Sequence, residues 1–397
     1  MSSHSAAPTP SDRGPVAAIL TRGAIVRLLL GWASVGAITL AAPLLAVPLS
    51  SAALVLVLAA IVAVIVVAAG GVVQQAEALA RRLGDPYGTL VLTLSIVVIE
   101  VVLIAAVMQG PGDHATIARD SVMAVSMIIM NLVLGLCLLV GGLRHGSLAA
   151  HRVGTSAYLV MLVALSALAF ALPATLGAGG SYAPAQALVI AGLTVALYAV
   201  FLWRQTGAQA AEFQEVTVPA AGAPGGRAPV PDDGTAPPPL RQLLAVHRAE
   251  LLARSALLIA TVLPIVLLSH HMADLLDDAS ARLGAPAALG GVLIALIVFT
   301  PESITAVRAA LAGEVQRVVN LCHGALVSTL ALTIPTVLVI GLLTGAPVVL
   351  AASPPNLLLL AATLAVAAIS AAAPRMTALH GAVHLLLFGV YALMLFR

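Results

Sequence analysis

Long apolar runs separated by short polar breaks dominate the chain. About 20 apolar residues in a helix cross the hydrocarbon core of a bilayer. The runs place such helices at 25–47, 51–83, 87–108, 117–143, 156–172, 184–203, 250–270, 287–311, 315–343, 355–373 and 377–396. Pro48 ends the first, and Gly84-Asp85-Pro86 and Gln109-Gly110-Pro111-Gly112-Asp113 break the chain further on. The expected fold class is all-α: a polytopic membrane protein with eleven transmembrane helices. Two of these helices carry one acid deep in apolar sequence. Glu100 stands among Ile96, Val97, Val98, Ile99, Val101 and Val102, and Glu302 follows Leu293, Ile294, Leu296, Ile297, Val298 and Phe299. A carboxylate at bilayer depth costs roughly 2.5–3.5 kcal/mol on insertion scales, so such residues mark functional sites. Pro301 withdraws a backbone donor just before Glu302 and favours a kink or break. A broken helix beside a carboxylate frees carbonyls that can bind a cation.

The surroundings of the two acids repeat. Arg82-Leu83-Gly84-Asp85-Pro86 returns as Arg282-Leu283-Gly284-Ala285-Pro286, each just before an acid-bearing helix. Polar helix ends holding Glu77 and Asp274 precede both motifs, and Asn131-Leu132-Val133-Leu134-Gly135 is echoed by Asn320-Leu321-Cys322-His323-Gly324. Five helices separate the start of one copy from the next, and an odd number inverts the second copy in the membrane. The expected layout is one leading helix plus two inverted five-helix repeats, with a shared site near the midplane. Its divisions are a disordered N-terminus at 1–22, a leading transmembrane helix at 23–50, a first repeat at 51–204, a cytoplasmic linker at 205–245 and a second repeat at 246–397. The linker reading rests on an Ala/Gly/Pro-rich composition.

Composition agrees. Hydrophobic residues make up 61% of 397 and charged residues 9%, which excludes an ordinary soluble protein. The runs are continuous, whereas a transmembrane β-barrel alternates. The net charge of +2 gives no reason to expect nucleic acid as a partner. The basic residues are explained by topology: with the N-terminus cytoplasmic, most arginines, including Arg22, Arg81, Arg82, Arg144, Arg204 and Arg308, fall inside, and Arg119, Arg282 and Arg397 outside. Cys137 and Cys322 lie in apolar runs and read as packing residues, since a free buried cysteine behaves as a small hydrophobe.

Desolvation disfavours the charged form of a carboxylate, and a second carboxylate nearby does so further. Such a pair holds protons until a divalent cation stabilises the ionised forms. Proton and metal then compete for one site, which is the physical basis of proton–cation antiport. Carboxylate, carbonyl and hydroxyl oxygens suit Ca²⁺, with Na⁺ or K⁺ as the alternative cargo on the same glutamates. Supporting candidates are Thr93 and Ser95 before Glu100, Thr300 and Ser303 beside Glu302, and Asn131, Asn320 and Ser328, with Thr329, in neighbouring helices. A hydroxyl in such a helix also has a plain alternative, a bond back to its own backbone. His323 could shuttle protons or simply pack, and the cluster His270, His271, Asp274, Asp277 and Asp278 could funnel cations or be a solvated helix end. An intramembrane enzyme lacks support, with no His-Glu-x-x-His and no mid-helix aspartate pair. A channel would need a filter loop repeated around a ring. The expected partners are the transported cation, protons and the lipid bilayer, with no cofactor.

These residues resemble the Ca²⁺/cation–proton antiporter family, particularly its bacterial ChaA-type branch. The likeness is carried by Gly84-Asp85-Pro86-Tyr87-Gly88-Thr89-Leu90-Val91-Leu92-Thr93-Leu94-Ser95 leading to Glu100, and by Phe299-Thr300-Pro301-Glu302-Ser303. Asn320-Leu321 with Thr333-Ile334-Pro335, and Asn131 with Gly141-Gly142-Leu143-Arg144-His145, add to it. The resemblance implies the eleven-helix layout, a bacterial cytoplasmic membrane, and Glu100 and Glu302 carrying cation and protons in turn. Where the wider family commonly has Gly-Asn shortly before each acid, this chain has Ile96-Val97 and Val298-Phe299, and Ser328 stands where many members have Gln.

Overall fold

The computed structural model describes residues 20–45, 49–83, 87–109, 115–207, 209–213, 240–284, 286 and 288–396. The expected N-terminal segment up to residue 19, the Gly84-Asp85-Pro86 break and linker residues 214–239 lie outside them. Among the described residues there is no strand. The first half comprises α1 (Arg22–Leu45), α2 (Ser51–Leu83), α3 (Tyr87–Met108), α4 (Ile117–Met127), α5 (Leu134–His145), α6 (Arg152–Ser166), α7 (Pro173–Leu176) and α8 (Pro184–Thr206). The second comprises α9 (Leu240–Leu283), α10 (Ala288–Ala312), α11 (Val315–Ser328), α12 (Ile334–Thr344), α13 (Pro354–Ala372) and α14 (Ala378–Leu395). Nine helical stretches among the described residues have the length and apolarity to cross a membrane. The bent α10 makes a further pair, and Val97–Met108 within α3 is a shorter apolar helix.

Three of the crossing stretches are interrupted by π-helical turns. Ile128–Val133 joins α4 to α5, Ala167–Ala171 follows α6, and Thr329–Thr333 joins α11 to α12. The last has a plain cause. Pro335 has no N–H to return to the carbonyl four residues earlier, so the ladder must shift at that point. Single π turns inside α-helices recur at functional sites. In α10, Ala288–Thr300 and Glu302–Ala312 meet at 52°, the bend expected of a proline inside a helix.

α9 runs farther than the apolar pattern indicates, beginning at Leu240 inside the expected linker and continuing past His270 to Leu283. Hydropathy measures the thickness of a membrane, not the length of a helix. The polar stretch beyond His270 therefore remains helical where it leaves the apolar zone. Arg282 pairs with Asp278 one turn back at 2.6 Å.

The packing between halves is reciprocal. α2 lies on α9, and α1 leans on both. α3 meets α12 and its π turn, while α10 meets α4, α5 and theirs. α8 packs on α12 and α14 on α5, and α6 lies against α13. The stretches Ile117–His145 and Val315–Thr344 are the most buried of the candidate spans and form the centre. Close approach there depends on glycine. A Cβ on Gly142 would lie 2.4 Å from the Ala378 nitrogen, one on Gly381 2.4 Å from that of Leu139, and one on Gly291 2.5 Å from that of Ser121. Small residues let helix backbones meet where lipid supplies no hydrophobic drive for association.

Candidate functional site

Glu100 sits in the middle of α3 with no exposed surface. Its Oε2 accepts a hydrogen bond from the Thr329 hydroxyl at 2.8 Å, across 229 residues of sequence. Thr329 opens the π turn of the second half. Thr333 brings a second hydroxyl toward the same carboxylate without reaching hydrogen-bond geometry. Glu100 Oε1 is buried and has no hydrogen-bond partner among the described residues.

Glu302 lies just past the bend in α10 and is partly buried, with Oε2 shielded and without a donor among the described residues. It borders a narrow void of about 10 Å³ shared with Phe299, Ser303, Leu321, Cys322 and Ala325 of its own half and with Ile129 and Val133 of the other. That is about the space of one water-sized occupant. Ile129 and Val133 belong to the first-half π turn. Each acid thus faces the π turn of the opposite half.

The supporting candidates divide. The hydroxyls of Ser303 and Ser328 bond back to Phe299 and Ala325 of their own helices at 2.7 Å, and Thr300 bonds back to Leu296. Ser95 is buried on α3, and the Thr93 side chain lies outside the described residues. Asn320 bridges the Gln316 side chain at 2.9 Å and the Phe213 carbonyl at 2.6 Å, tying α11 to the turn after α8. Asn131, fully buried in the first π turn, donates to Thr363 at 2.8 Å and meets His384 Nδ1 at 3.0 Å. Its Oδ1 can only accept, so the ring donates from Nδ1. The repeated Asn-Leu-x-x-Gly pattern does not correspond in space: Asn131 lies within a π turn, and Asn320 lies in α11 before one. A pattern with three fixed positions is too short to set a register.

Two residues at this centre were not singled out from sequence as site candidates. Thr363 could not be distinguished from other hydroxyls in apolar helices. His384 had a signal, being an ionisable residue inside an apolar run. Among the described residues no group of three or more His, Cys, Asp or Glu gathers as a metal cluster. Glu100 lies beside the hydroxyls of Thr329 and Thr333, and Glu302 beside Ser303, Cys322 and apolar side chains. His323 is buried and bonds to the Val319 carbonyl at 3.2 Å, beside Tyr158.

A helical protein with reciprocal halves, each setting an acid against a π turn of the other, has the form of a secondary transporter. The sequence model of the sodium/calcium exchanger protein family matches residues 53–207 and 255–397. The chain belongs to that family, a family of transporters rather than enzymes, and is an integral membrane cation exchanger. It is 36% identical over 327 residues to the y4hA protein of Sinorhizobium fredii, covering 81% of this chain and 83% of that one. It is 32% identical over 325 residues to the sodium-potassium/proton antiporter ChaA of Escherichia coli, covering 82% and 84%. Among solved structures it shares its fold with native YfkE, at a TM-score of 0.68 and 15% identity over 93% of this chain and 99% of that one. The H⁺/Ca²⁺ exchanger CAX follows, at 0.62 and 15% over 94% and 89%.

Proposed function

We propose that the chain exchanges a cation for protons by alternating access at a midplane site built on Glu100 and Glu302. The observation that carries this reading is the crossed arrangement: each acid belongs to one half and faces the π turn of the other. Buried carboxylates with unpartnered oxygens must be neutralised by a proton or a cation, because a bare charge there is too costly. One pair of groups that accepts either, but not both together, couples the two fluxes. Counting α3 and the bent α10 as spans gives eleven crossings: α1, then two inverted sets of five. The arginine bias supports a cytoplasmic N-terminus, and the bacterial relatives support a cytoplasmic membrane.

Two carboxylates balance one Ca²⁺, a hard ion that takes oxygen ligands. A second reading, Na⁺ or K⁺ as cargo, is favoured by the 32% identity to a sodium-potassium/proton antiporter. Purified protein in liposomes with an imposed pH gradient distinguishes them. Ca²⁺, Na⁺ and K⁺ are each offered, and lumenal pH and ion uptake recorded. Glu100→Gln and Glu302→Gln should each abolish exchange in folded protein. Wild-type flux in either variant would remove that residue from the mechanism.

A further inference from the structure

Away from the acids, an apolar groove of about 690 Å³ runs between α6 and α13. Its walls are aliphatic, with Leu159, Val160 and Val163 on one side and Leu364 and Ala368 on the other. Val160 and Val163 are 67% and 56% exposed, so the groove opens toward the surrounding lipid. Its lining extends along α6 from Arg152 to Ala164, about 18 Å at 1.5 Å per residue. That is close to the depth of one leaflet of a hydrocarbon core about 30 Å thick.

Only one end is charged. Arg152 lines the groove there and donates to the Ala372 carbonyl in the last turn of α13. Arg375 is held at the same end, donating to Ser147 at 3.0 Å. A short backbone bridge fixes the two segments together, with Leu148 N to Met376 O at 2.8 Å and Met376 N to Leu148 O at 2.7 Å. The backbone carbonyl of Glu212 meets α6 at Gly154, about half a turn around the helix from Arg152. By the arginine bias this end is cytoplasmic, the leaflet side where basic pockets between helices collect anionic headgroups.

We infer that the α6–α13 groove is a binding site for an anionic phospholipid, one acyl chain lying along Leu159, Val163, Leu364 and Ala368 and the phosphate meeting Arg152 and Arg375. The aliphatic walls take any chain, so preference for the anionic headgroup comes from the two guanidiniums, Arg being suited to phosphate through its forked donors.

The test uses the full-length protein in nanodiscs of equal phosphatidylglycerol and phosphatidylcholine, with lipids that survive release counted by native mass spectrometry. The wild type should retain phosphatidylglycerol at least fivefold over phosphatidylcholine. Arg152→Gln combined with Arg375→Gln should bring the ratio to about one. Ala368→Trp, which fills the groove and leaves both arginines in place, should reduce retention of either lipid. Each variant's fold is checked by its circular dichroism, and the groove-filling variant keeps the test alive if the arginine variant misfolds. Equal retention of both lipids by the wild type would overturn the proposal, as would unchanged retention in folded variants. A wild-type dimer that Ala368→Trp separates into monomers would also overturn it, since a second copy would then cover the groove.

Discussion

Replacing Thr329 with valine removes one oxygen and almost no volume, and that oxygen is the protein donor to Glu100 at 2.8 Å. Because Glu100 Oε1 has no hydrogen-bond partner among the described residues, the variant leaves the carboxylate without a donor among them. A hydrogen bond to an ionised group is worth about 1.5–3 kcal/mol and one between neutral groups about 0.5–1.5. In the cation-loaded state the carboxylate is ionised and loses the larger amount. In the proton-loaded state it is neutral and loses the smaller. The difference, about 1–1.5 kcal/mol, corresponds to roughly a five- to thirteenfold rise in the cation concentration for half-maximal exchange. Thr329→Ser, which keeps the hydroxyl, should remain within about twofold of wild type on the same reasoning. The assay is uptake into proteoliposomes at fixed pH across a cation series, with size-exclusion chromatography confirming intact protein. A folded Thr329→Val with wild-type half-saturation would refute the claim that this cross-half contact supports the ionised site.

Two further outcomes follow from the bend and from the polar centre. Pro301→Ala restores a backbone donor where the two parts of α10 meet at 52°, so exchange should slow while the protein stays folded, read as initial uptake rate against thermal midpoint. His384→Phe strands Asn131 Oδ1 in a fully buried position, which should lower stability in detergent denaturation by about 1–3 kcal/mol; an unchanged midpoint would mean that the ring does not hold the first π turn.

The membrane class and both central acids were legible because an isolated carboxylate in a twenty-residue apolar run has few physical excuses. What was not legible was partnership. Ser328 and Thr329 both stood out in the sequence, yet the Ser328 hydroxyl turns back to Ala325 while that of Thr329 reaches Glu100. Which of two neighbouring hydroxyls faces inward depends on the phase of the helix, and the π turn beginning at Thr329 resets that phase. The same holds for Asn131, whose partners on α13 and α14 lie more than 200 residues away. The extra length of α9 was hidden for a different reason, since polar helix formers beyond the membrane leave no hydropathy signal.

The crossed contacts bear on how exchange stays coupled. If each acid were satisfied within its own half, the halves could shift without disturbing the charges, and an ion could leave without a proton arriving. Here the donor to Glu100 comes from the second half, and the void beside Glu302 is walled partly by the first. Any displacement of one half against the other therefore alters the surroundings of both carboxylates together. A bare ionised pair would pay the desolvation cost during that displacement, while a pair carrying a cation or protons would not. In the proposed mechanism, this difference is what forbids the empty site from crossing and makes each passage carry its load.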